Sequence, residues 1–451
     1  MALALVGAAA MGGCDPVPFA SVELVVRTPE SASDRMRPSS CDGGSPSCIQ
    51  LSRLLDGGAL EALTLTNTYW GPTEALPLGR EQRTLELEIF TGDPTGPTLL
   101  ARADPVRIPA IDDEGSSVTL ERTVVLAAYD AVEALFDLAP AADASGAACD
   151  DAFGNAWFFG AQSWSMAAAT LEPRLIGGVE VQSGAAVACA GSSEPADDVD
   201  ALDQAQGPVS GRFFAFVGDC AGGGGGTLLT GADSVSDSTV VSSGNGCNPR
   251  VAMRDGWLWV VQDNLVTVHD VATLTLRDAL AISPPALPFV DAIVRSDGSL
   301  VVAEAAGATR LFTLSAGNIV ETPGPNGNVA ALVDRGGAAW ALTKANDLVH
   351  VDIEAGDDEH PDLGGLTDVR DVVALRDGTV IALGTIDDDG TAVDAVAVAG
   401  AGHAVPTIAG HGRTALTRTV GGAVLLWGVG PGVDVFVPSA PVVLAARALG
   451  Q

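Results

Sequence analysis

The stretch RVAMRDGWLWVV, residues 250–261, places two short apolar runs on either side of Asp-Gly. A two-residue turn that ends in glycine supplies the positive φ angles of a tight β-hairpin at little steric cost. The stretch therefore predicts two antiparallel strands. Similar stretches recur as SDGSLVVA from Ser296, RGGAAWAL from Arg335, RDGTVIAL from Arg376 and VGGAVLLW from Val420.

This repeat has a regular period. A third apolar run follows the hairpin in most units, for example LVTVHDV from Leu265 and TRLFTLS from Thr309. Repeats of about 40–45 residues built from short antiparallel strands are typical of β-propellers. One small twisted sheet buries both of its faces only between neighbours in a ring, so the sequence predicts a β-propeller. The turn glycines are separated by 42, 39, 41 and 44 residues, and they are Gly256, Gly298, Gly337, Gly378 and Gly422.

Residues 157–451 have room for about seven such units, and six is the alternative. Two upstream stretches complete the count: AAATLEPRLIGGVEV (167–181), with a turn at Glu172-Pro173, and FFAFVGDCAGGGGGTLLTG (213–231). The first contains ATLEPRLIGG, which resembles the Kelch or galactose-oxidase-like repeat, where an apolar strand and a turn lead into a double glycine. Galactose oxidase activity would imply a copper site that uses tyrosines. The only tyrosines, Tyr69 and Tyr129, precede the propeller, so that activity is not expected.

The residues before the repeats are rich in β-strand signals. Alternating or β-branched apolar runs separated by Gly, Pro and Asp predict a β-sandwich domain over residues 15–140, Ig-like in arrangement. Two short helices are also predicted there, at residues 47–63, where leucines recur at helical spacing, and at residues 130–140. The small, polar residues 141–156 predict a linker into the propeller. The predicted strands are SVELVVRT (21–28), RTLELEIFTG (83–92), TLLARADPVRI (98–108) and SSVTLERTVVLA (116–127).

An apolar run at the start of the sequence, ALALVGAAAMGG, ends directly before Cys14. Its length suits the hydrophobic region of a signal peptide and is too short for a membrane-spanning helix. With Gly12 and Gly13 as the small residues before the cysteine, it resembles a bacterial lipoprotein signal. The resemblance implies that residues 1–14 form the signal region and that Cys14 becomes the lipidated anchor in the cell envelope, with the membrane and its face left open. An ordinary secretory signal is the alternative.

Seven cysteines would leave one unpaired in an oxidising compartment, and lipidation of Cys14 leaves an even set of six. An even set is what an exported, disulfide-bonded protein needs. Fifteen pairings are possible, and neighbours in sequence suggest Cys41–Cys48, Cys149–Cys189 and Cys220–Cys247. The spacing includes no CxxC pair and no Cys/His cluster typical of zinc.

The charge balance is strongly acidic, with 57 Asp and Glu against 23 Lys and Arg and a net charge of −34. Such a charge repels nucleic-acid phosphates and anionic lipid headgroups. We therefore expect no nucleic-acid partner, and membrane attachment only through the lipid. A protein or glycan ligand in the cell envelope and a monomeric state are expected.

Histidines form two candidate pairs, and the sequence favours a structural role for each. His269 and His350 both follow their turn glycine by 13 residues, but they belong to repeats two units apart, where repeat drift explains the coincidence. His403 and His411 lie eight residues apart in GHAVPTIAGHG, without a third ligand nearby, which makes a weak metal site.

Carboxylates and tryptophans give two further candidates. In IDDDGTAVD, Asp387, Asp388, Asp389 and Asp394 are similar to a calcium loop, although a solvated hairpin tip is favoured because the spacing departs from that of an EF-hand. The acidic stretch EAGDDEHPD (354–362) is interpreted in the same way. Trp259 and Trp340 occupy equivalent repeat positions, which favours packing between blades over a carbohydrate platform. No cofactor is expected.

Two functions remain open from the sequence. The favoured one is a lipid-anchored, non-catalytic propeller that binds a protein or a glycan. The alternative is an extracellular hydrolase or lyase for polymers, with a site assembled from several blades and therefore invisible to motif searches. Three or more convergent His, Asp or Glu side chains at the mouth of the central channel would favour the enzyme, whereas a channel of Val, Ala and Gly would argue against it.

Overall fold

The computed structural model describes seven strands between residues 19 and 125 and most of the chain from residue 130 to residue 438. All of the described secondary structure is β-strand. This described part of the chain contains no helix able to cross a bilayer. The residues left out of the second range are 137–145, 152–153, 168–172, 180, 183–184, 192–210, 221–223, 255, 286–287, 305–308, 316, 324–328, 336–337, 344–346, 352–358, 376–377, 420–421, 429 and 431.

The strands before residue 126 form two sheets. They are β1 (Phe19–Arg27), β2 (Ile49–Leu55), β3 (Glu61–Leu63), β4 (Leu76–Pro77), β5 (Arg83–Thr91), β6 (Leu99–Ile108) and β7 (Ser117–Val125). One sheet has the order β4-β1-β7, with β1 parallel to β7, and the other has the order β3-β2-β5-β6. The four predicted strands correspond to β1, β5, β6 and β7. The Ig-like packing of the two sheets depends on side chains outside the described residues and stays a prediction.

The helix predicted at residues 47–63 is wrong. This segment forms β2 and β3, and β2 pairs with β5 along its whole length, from Ile49 opposite Thr91 to Leu55 opposite Leu85. Helical spacing of leucines is a weak local preference, and pairing with a long neighbouring strand overrides it.

From residue 130 onward the strands form seven antiparallel sheets, called blades 1 to 7, whose strands are called A to D from the inside of the ring outward. Blade 1 comprises β9 (Ala147–Asp150), β10 (Ala156–Phe159), β11 (Trp164–Met166) and β12 (Pro173–Leu175). Blade 2 comprises β13 (Ala186–Gly191), β14 (Phe213–Gly218), β15 (Gly226–Gly231) and β16 (Val235–Val241). Blade 3 comprises β17 (Arg250–Arg254), β18 (Trp257–Gln262), β19 (Leu265–Asp270) and β20 (Leu276–Ala281). Blade 4 comprises β21 (Phe289–Val294), β22 (Leu300–Glu304), β23 (Thr309–Ser315) and β24 (Asn318–Pro323). Blade 5 comprises β25 (Val329–Arg335), β26 (Ala338–Thr343) and β27 (Leu348–His350). Blade 6 comprises β28 (Thr367–Ala374), β29 (Val380–Asp388), β30 (Thr391–Val398) and β31 (Ala404–Pro406). Blade 7 comprises β32 (Arg413–Arg418), β33 (Val424–Gly428), β34 (Val433–Phe436) and, as its D strand, β8 (Val132–Phe136).

The seven sheets close into a ring. Each A strand contacts the A strand of the next blade, and β32 of blade 7 contacts β9 of blade 1. The predicted all-β fold with a seven-bladed propeller is therefore confirmed. Because antiparallel strands alternate in direction, the A-to-B turns and C-to-D connections lie at one end of the ring, called the AB face. The other end is called the BC face.

The last blade is closed by a strand that precedes the first. β8 pairs with β34, with Phe136 opposite Val433 and Val132 opposite Phe436. The helix predicted at residues 130–140 is therefore wrong, and the predicted first-domain boundary at residue 140 falls after this propeller strand. The predicted linker, 141–156, contains β9, the A strand of blade 1.

The glycine turns have two forms. In blade 3, Arg254 pairs with Trp257, which leaves the predicted two-residue turn. In blade 4, the Arg295 N–H donates to Ser299 O (2.8 Å) and the Gly298 N–H donates back to Arg295 O (2.9 Å), which defines a three-residue turn. Gly298 has a φ of 79°, the left-handed conformation that this turn requires at its last residue.

The upstream repeat unit is also shifted from its predicted register. The expected turn at Glu172-Pro173 is not an A-to-B hairpin, since Pro173 begins the D strand of blade 1 and pairs with Met166 in strand C. The second upstream unit, 213–231, supplies strands B and C of blade 2, as the period predicted.

Candidate functional site

Carboxylates on the A strands join neighbouring blades around the central channel. Asp291 of blade 4 accepts hydrogen bonds from the backbone N–H of Ala292 at Oδ1 (2.7 Å) and of Leu332 in blade 5 at Oδ2 (2.8 Å). Asp371 of blade 6 repeats this arrangement with Val372 (2.8 Å) and, across to blade 7, Leu416 (2.6 Å). Each carboxylate thus satisfies a backbone donor on the next A strand.

The two aspartates share a local cause. A bulge interrupts each A strand just before the aspartate, where the pairing register shifts between Phe289 and Asp291 and between Thr367 and Asp371. A bulge redirects the side chain that follows it. Both aspartates also precede their turn glycine by seven residues. That spacing is the sequence signal by which they could have been found, although they were not among the predicted site residues.

A third carboxylate, Asp150, lies where blade 7 meets blade 1. It accepts the Arg418 backbone N–H at Oδ2 (2.7 Å) and the Arg418 Nε–H at Oδ1 (3.1 Å). Arg418 Nη1 also donates to Ala374 O in blade 6 (3.3 Å). One arginine therefore contacts three successive blades at the point where the ring closes.

Burial perturbs the acidity of these channel groups. It raises the pKa of Asp371 to about 7, against the hydrogen bond from Leu416, while repulsion from Asp291 acts in the same direction as burial. It raises the pKa of Asp291 to about 6, against hydrogen bonds from Leu332 and Ala292. The pKa of Asp150 is also raised by burial, with attraction to Arg418 opposing it. Burial lowers the pKa of Arg250, which faces Asp291 and Asp371.

The lining of the channel therefore fits neither of the arrangements described from the sequence, which were convergent His, Asp or Glu side chains and a lining of Val, Ala and Gly. It contains three carboxylates from blades 1, 4 and 6, and these are bound to backbone amides of adjacent blades. In the described ranges, no group of three or more His, Cys, Asp or Glu is arranged to hold a metal ion.

The structure separates His269 from His350. His269 is buried, with Nδ1 3.1 Å from Leu274 O and Nε2 3.0 Å from Thr267 Oγ1, and burial lowers its pKa. It pairs with Leu258, whereas His350 pairs with Trp340, the equivalent of Trp259. The loop between strands B and C is one residue longer in blade 5 than in blade 3. The two histidines follow their turn glycines by the same number of residues, but they therefore pair with strand-B positions that differ by one residue.

His403 and His411 lie at opposite ends of the ring. His403 is on the C-to-D connection at the AB face, with Nδ1 3.1 Å from Ala401 O. His411 precedes strand A of blade 7 at the BC face, and its Nδ1 lies 3.0 Å from Asp434 Oδ1 and 2.8 Å from Arg413 Nη2. Arg413 and Asp434 are fully buried and form an ion pair of 2.7 Å.

The acidic stretch 387–394 is a hairpin tip. Asp388 pairs with Thr391 across a turn formed by Asp389 and Gly390, whose φ angles are 51° and 84°. Asp387 Oδ1 accepts the Gly390 N–H (2.7 Å), and Asp394 forms an ion pair with Arg370 (2.6 Å). The first bond holds the turn, and the ion pair links strands A and C within blade 6. Most of the second acidic stretch, 354–362, lies outside the described residues.

Two disulfides fasten blades 1 to 3. Cys149 in β9 is bonded to Cys189 in β13, with Cα atoms 5.8 Å apart, so the A strands of blades 1 and 2 are linked. Cys220, on the B-to-C loop of blade 2, is bonded to Cys247 on the connection into blade 3. Both disulfides join cysteines that were predicted to pair because they follow one another along the sequence. Cys14, Cys41 and Cys48 lie outside the described residues.

Tryptophans line a cleft between blades 3 and 4 at the AB face. Trp259 is 1% exposed and packs in the core between these blades, as expected. Trp257, which was not among the predicted site residues, is half-buried beside a cavity of about 150 Å³. Asp297, Gly298 and Thr313 of blade 4 complete much of its wall.

No family model and no curated protein matches the sequence. Solved propellers are similar in structure. Streptogramin B lyase has a TM-score of 0.42 and 12% identity, over 67% of this chain and 96% of the lyase chain. YCF48 bound to D1 peptide has a TM-score of 0.45 and 10% identity, over 69% and 99% of the two chains. The extracellular domain of a putative hybrid two-component system, BT4673 from B. thetaiotaomicron, has a TM-score of 0.42 and 12% identity, over 68% and 40%. These likenesses concern the fold alone.

Proposed function

We propose that this protein is an exported, envelope-anchored binding propeller whose ligand is a protein or a glycan. The observation that carries the proposal is the use of the channel carboxylates. Asp150, Asp291 and Asp371 each accept backbone N–H groups from an adjacent blade, so their oxygens serve the ring itself. A ring fastened in this way is a rigid support for recognition on its faces.

Export is supported by the two disulfides, which persist in oxidising compartments and are rare in the cytosol. Anchoring through Cys14 rests on the resemblance of residues 2–14 to a lipoprotein signal. Intact mass spectrometry of protein purified from membranes tests this part. We expect an N-terminus at Cys14 that carries acyl chains, and an unmodified Cys14 would contradict the anchor.

Binding is tested with insoluble and soluble glycan polymers, namely peptidoglycan, chitin, cellulose and mannan. The protein is incubated with each polymer, and both the bound fraction and the release of reducing or unsaturated ends are measured. We expect retention on at least one polymer without release of ends. If no polymer retains the protein, formation of a stoichiometric complex with a purified envelope protein would still support the binding function. Release of ends would contradict a non-catalytic role.

A second candidate function is a polymer-cleaving enzyme with its site in the channel. It is favoured by the raised pKa values of Asp291 and Asp371, about 6 and 7, because a general acid or base works best near the ambient pH. The Asp371→Asn variant separates the two candidates. An enzyme would lose release of polymer ends, whereas a binding propeller would keep its retention on the polymer.

A further inference from the structure

A half-buried tryptophan of blade 3 departs from the internal repeat. Trp257 directly follows the turn glycine of blade 3, where the other four repeats carry small residues, namely Ser299, Ala338, Thr379 and Ala423. These residues show that the hairpin itself does not need an indole. A large aromatic side chain that lines a cavity, at a position that the other repeats fill with small residues, points to recognition in addition to packing.

The Trp257 ring is held in place by a neighbouring cation. The Arg277 guanidinium lies over the ring, with Cζ 5.3 Å from its centroid, and Arg277 is itself bonded to Asp270. Arg277 therefore covers one face of the indole, while the rest of the ring packs beside the core of blades 3 and 4 and lines the cavity. A second cation beside Arg277 would be repelled by it, so this arrangement favours a neutral ligand.

Polar groups of blade 4 face the indole across the cavity. Asp297 Oδ1 is fixed by the Ser299 N–H (2.9 Å) and the Ser299 hydroxyl, while its side chain remains 56% exposed. Desolvation is the largest single influence on the pKa of Asp297 and raises it, but the Ser299 hydrogen bonds and Arg295 together hold the pKa below its usual value. Asp297 is thus an oriented carboxylate at neutral pH. Gly298 lies beside the indole, since an added Cβ would be in van der Waals contact with the Trp257 ring at 3.9 Å.

The size of the cavity limits the ligand. A cavity of about 150 Å³ accommodates a single six-membered ring. A sugar ring presents an apolar C–H face that packs on an indole and hydroxyl groups that donate to a carboxylate. Thr313 lines the same cavity, and a threonine hydroxyl can both donate and accept.

We propose that the cleft between Trp257 of blade 3 and Asp297 of blade 4 is a binding subsite for one neutral sugar ring of a glycan. The indole packs on the C–H face of the ring, the Asp297 carboxylate accepts its hydroxyl protons, and Thr313 selects among hydroxyl positions. The subsite rests on the proposed binding function and names its ligand class and its place on the AB face.

The test is a titration of the full chain with glucose, mannose and N-acetylglucosamine, followed by tryptophan fluorescence and saturation-transfer NMR. A ligand of this size is expected to bind with a Kd on the order of 1 mM. Trp257→Ala, which places in blade 3 the residue of blades 5 and 7, should weaken binding at least tenfold. Thr313→Val should weaken it several-fold with a change in preference among the sugars. Leu276→Ala, an exposed position on the D strand of the same blade, is the matched control and should bind as the parent does.

Sugar affinity that persists in a folded Trp257→Ala variant would overturn the subsite. It would be overturned equally if arginine and lysine methyl esters bind in a Trp257-dependent way while no neutral sugar does, because the cleft would then be a cation site. Retention of the Trp257→Ala variant on the polymers used above at parental strength would remove this subsite and leave the binding function standing. Failure of the parent on every polymer and with every protein partner would instead remove the function.

Discussion

Asp371 accepts a hydrogen bond from the backbone N–H of Leu416, so a carboxylate of blade 6 holds the innermost strand of blade 7. The same bond joins Asp291 of blade 4 to Leu332 of blade 5. Blades 5 and 7, each of which follows one of these blades, carry alanine at the equivalent position, Ala331 and Ala415. An A-strand aspartate therefore holds the next blade at the junctions of blades 4 and 5 and of blades 6 and 7, and Asp150 with Arg418 supplies the polar contact between blades 7 and 1.

Loss of the Asp371 carboxylate should destabilise the propeller. Asp371→Ala leaves the N–H groups of Val372 and Leu416 without their acceptor, at a cost of about 2–4 kcal/mol in the free energy of unfolding. Asp371→Asn keeps one acceptor oxygen and should lose less. Urea unfolding followed by tryptophan fluorescence measures both, with Asp388→Ala at an exposed position as the control. Equal stability of Asp371→Ala and the control would show that the bond contributes nothing.

Stability should fall as the pH rises from about 4 to about 7. The pKa values of Asp291 and Asp371 are raised to about 6 and 7 by burial, so the folded state holds protons that the unfolded chain, with a pKa near 3.8, has released. Their contribution is complete below about pH 3.8 and is lost as the pH rises through these values. Asp270, whose pKa is lowered by the hydrogen bond from Arg277, acts in the opposite sense at lower pH, and His269, whose pKa is lowered by burial, opposes the decline below its usual value of 6.5. Thermal unfolding across pH 4–8 should show the decline, and Asp291→Asn with Asp371→Asn should flatten it. A slope that is unchanged in the double variant would contradict this assignment.

Much of the propeller could be predicted from the sequence, because its most regular features are local. The Asp-Gly and Gly-Gly turns specify the A-to-B hairpins of blades 3 to 7 within a dozen residues each. Strand β9 leads into a turn that ends at Gly154, with a φ of 83° like that of Gly298, but the sequence there is Phe-Gly rather than the Asp-Gly or Gly-Gly of the later repeats. Strand β8 could not be predicted locally, since it gains its partner, β34, from the far end of the chain. The cleft between blades 3 and 4 was likewise predictable only in its local features. The tryptophan in the cleft is a visible departure from the repeat, but its closeness to Asp297 depends on how two blades pack.

Closure of the ring should depend on Leu135 in β8. This side chain is 4% exposed and packs with Trp427, Val433 and Val435 of blade 7. Leu135→Ala should cost about 2–4 kcal/mol through lost contacts and the cavity left behind. Limited proteolysis and urea unfolding should both report a looser blade 7, while Ala134→Ser on the other face of the strand should change little. Parental protease resistance in Leu135→Ala would mean that β8 is dispensable for closure.

The buried ion pair of blade 7 should show strong coupling. Arg413 and Asp434 are both fully buried, and Arg413 also donates to Gly432 O (2.9 Å). Removing either partner alone leaves a buried charge without its counter-charge. Arg413→Met and Asp434→Leu should therefore each lower the free energy of unfolding by about 3–5 kcal/mol. The double variant replaces both charges with apolar groups and should lose clearly less than the sum of the two single losses. A double-mutant cycle by urea unfolding at pH 7 measures this coupling, and strictly additive losses would contradict it. Arg413 also accepts a hydrogen bond from Arg370 of blade 6 through its carbonyl oxygen (3.0 Å), a backbone contact that both substitutions should leave in place.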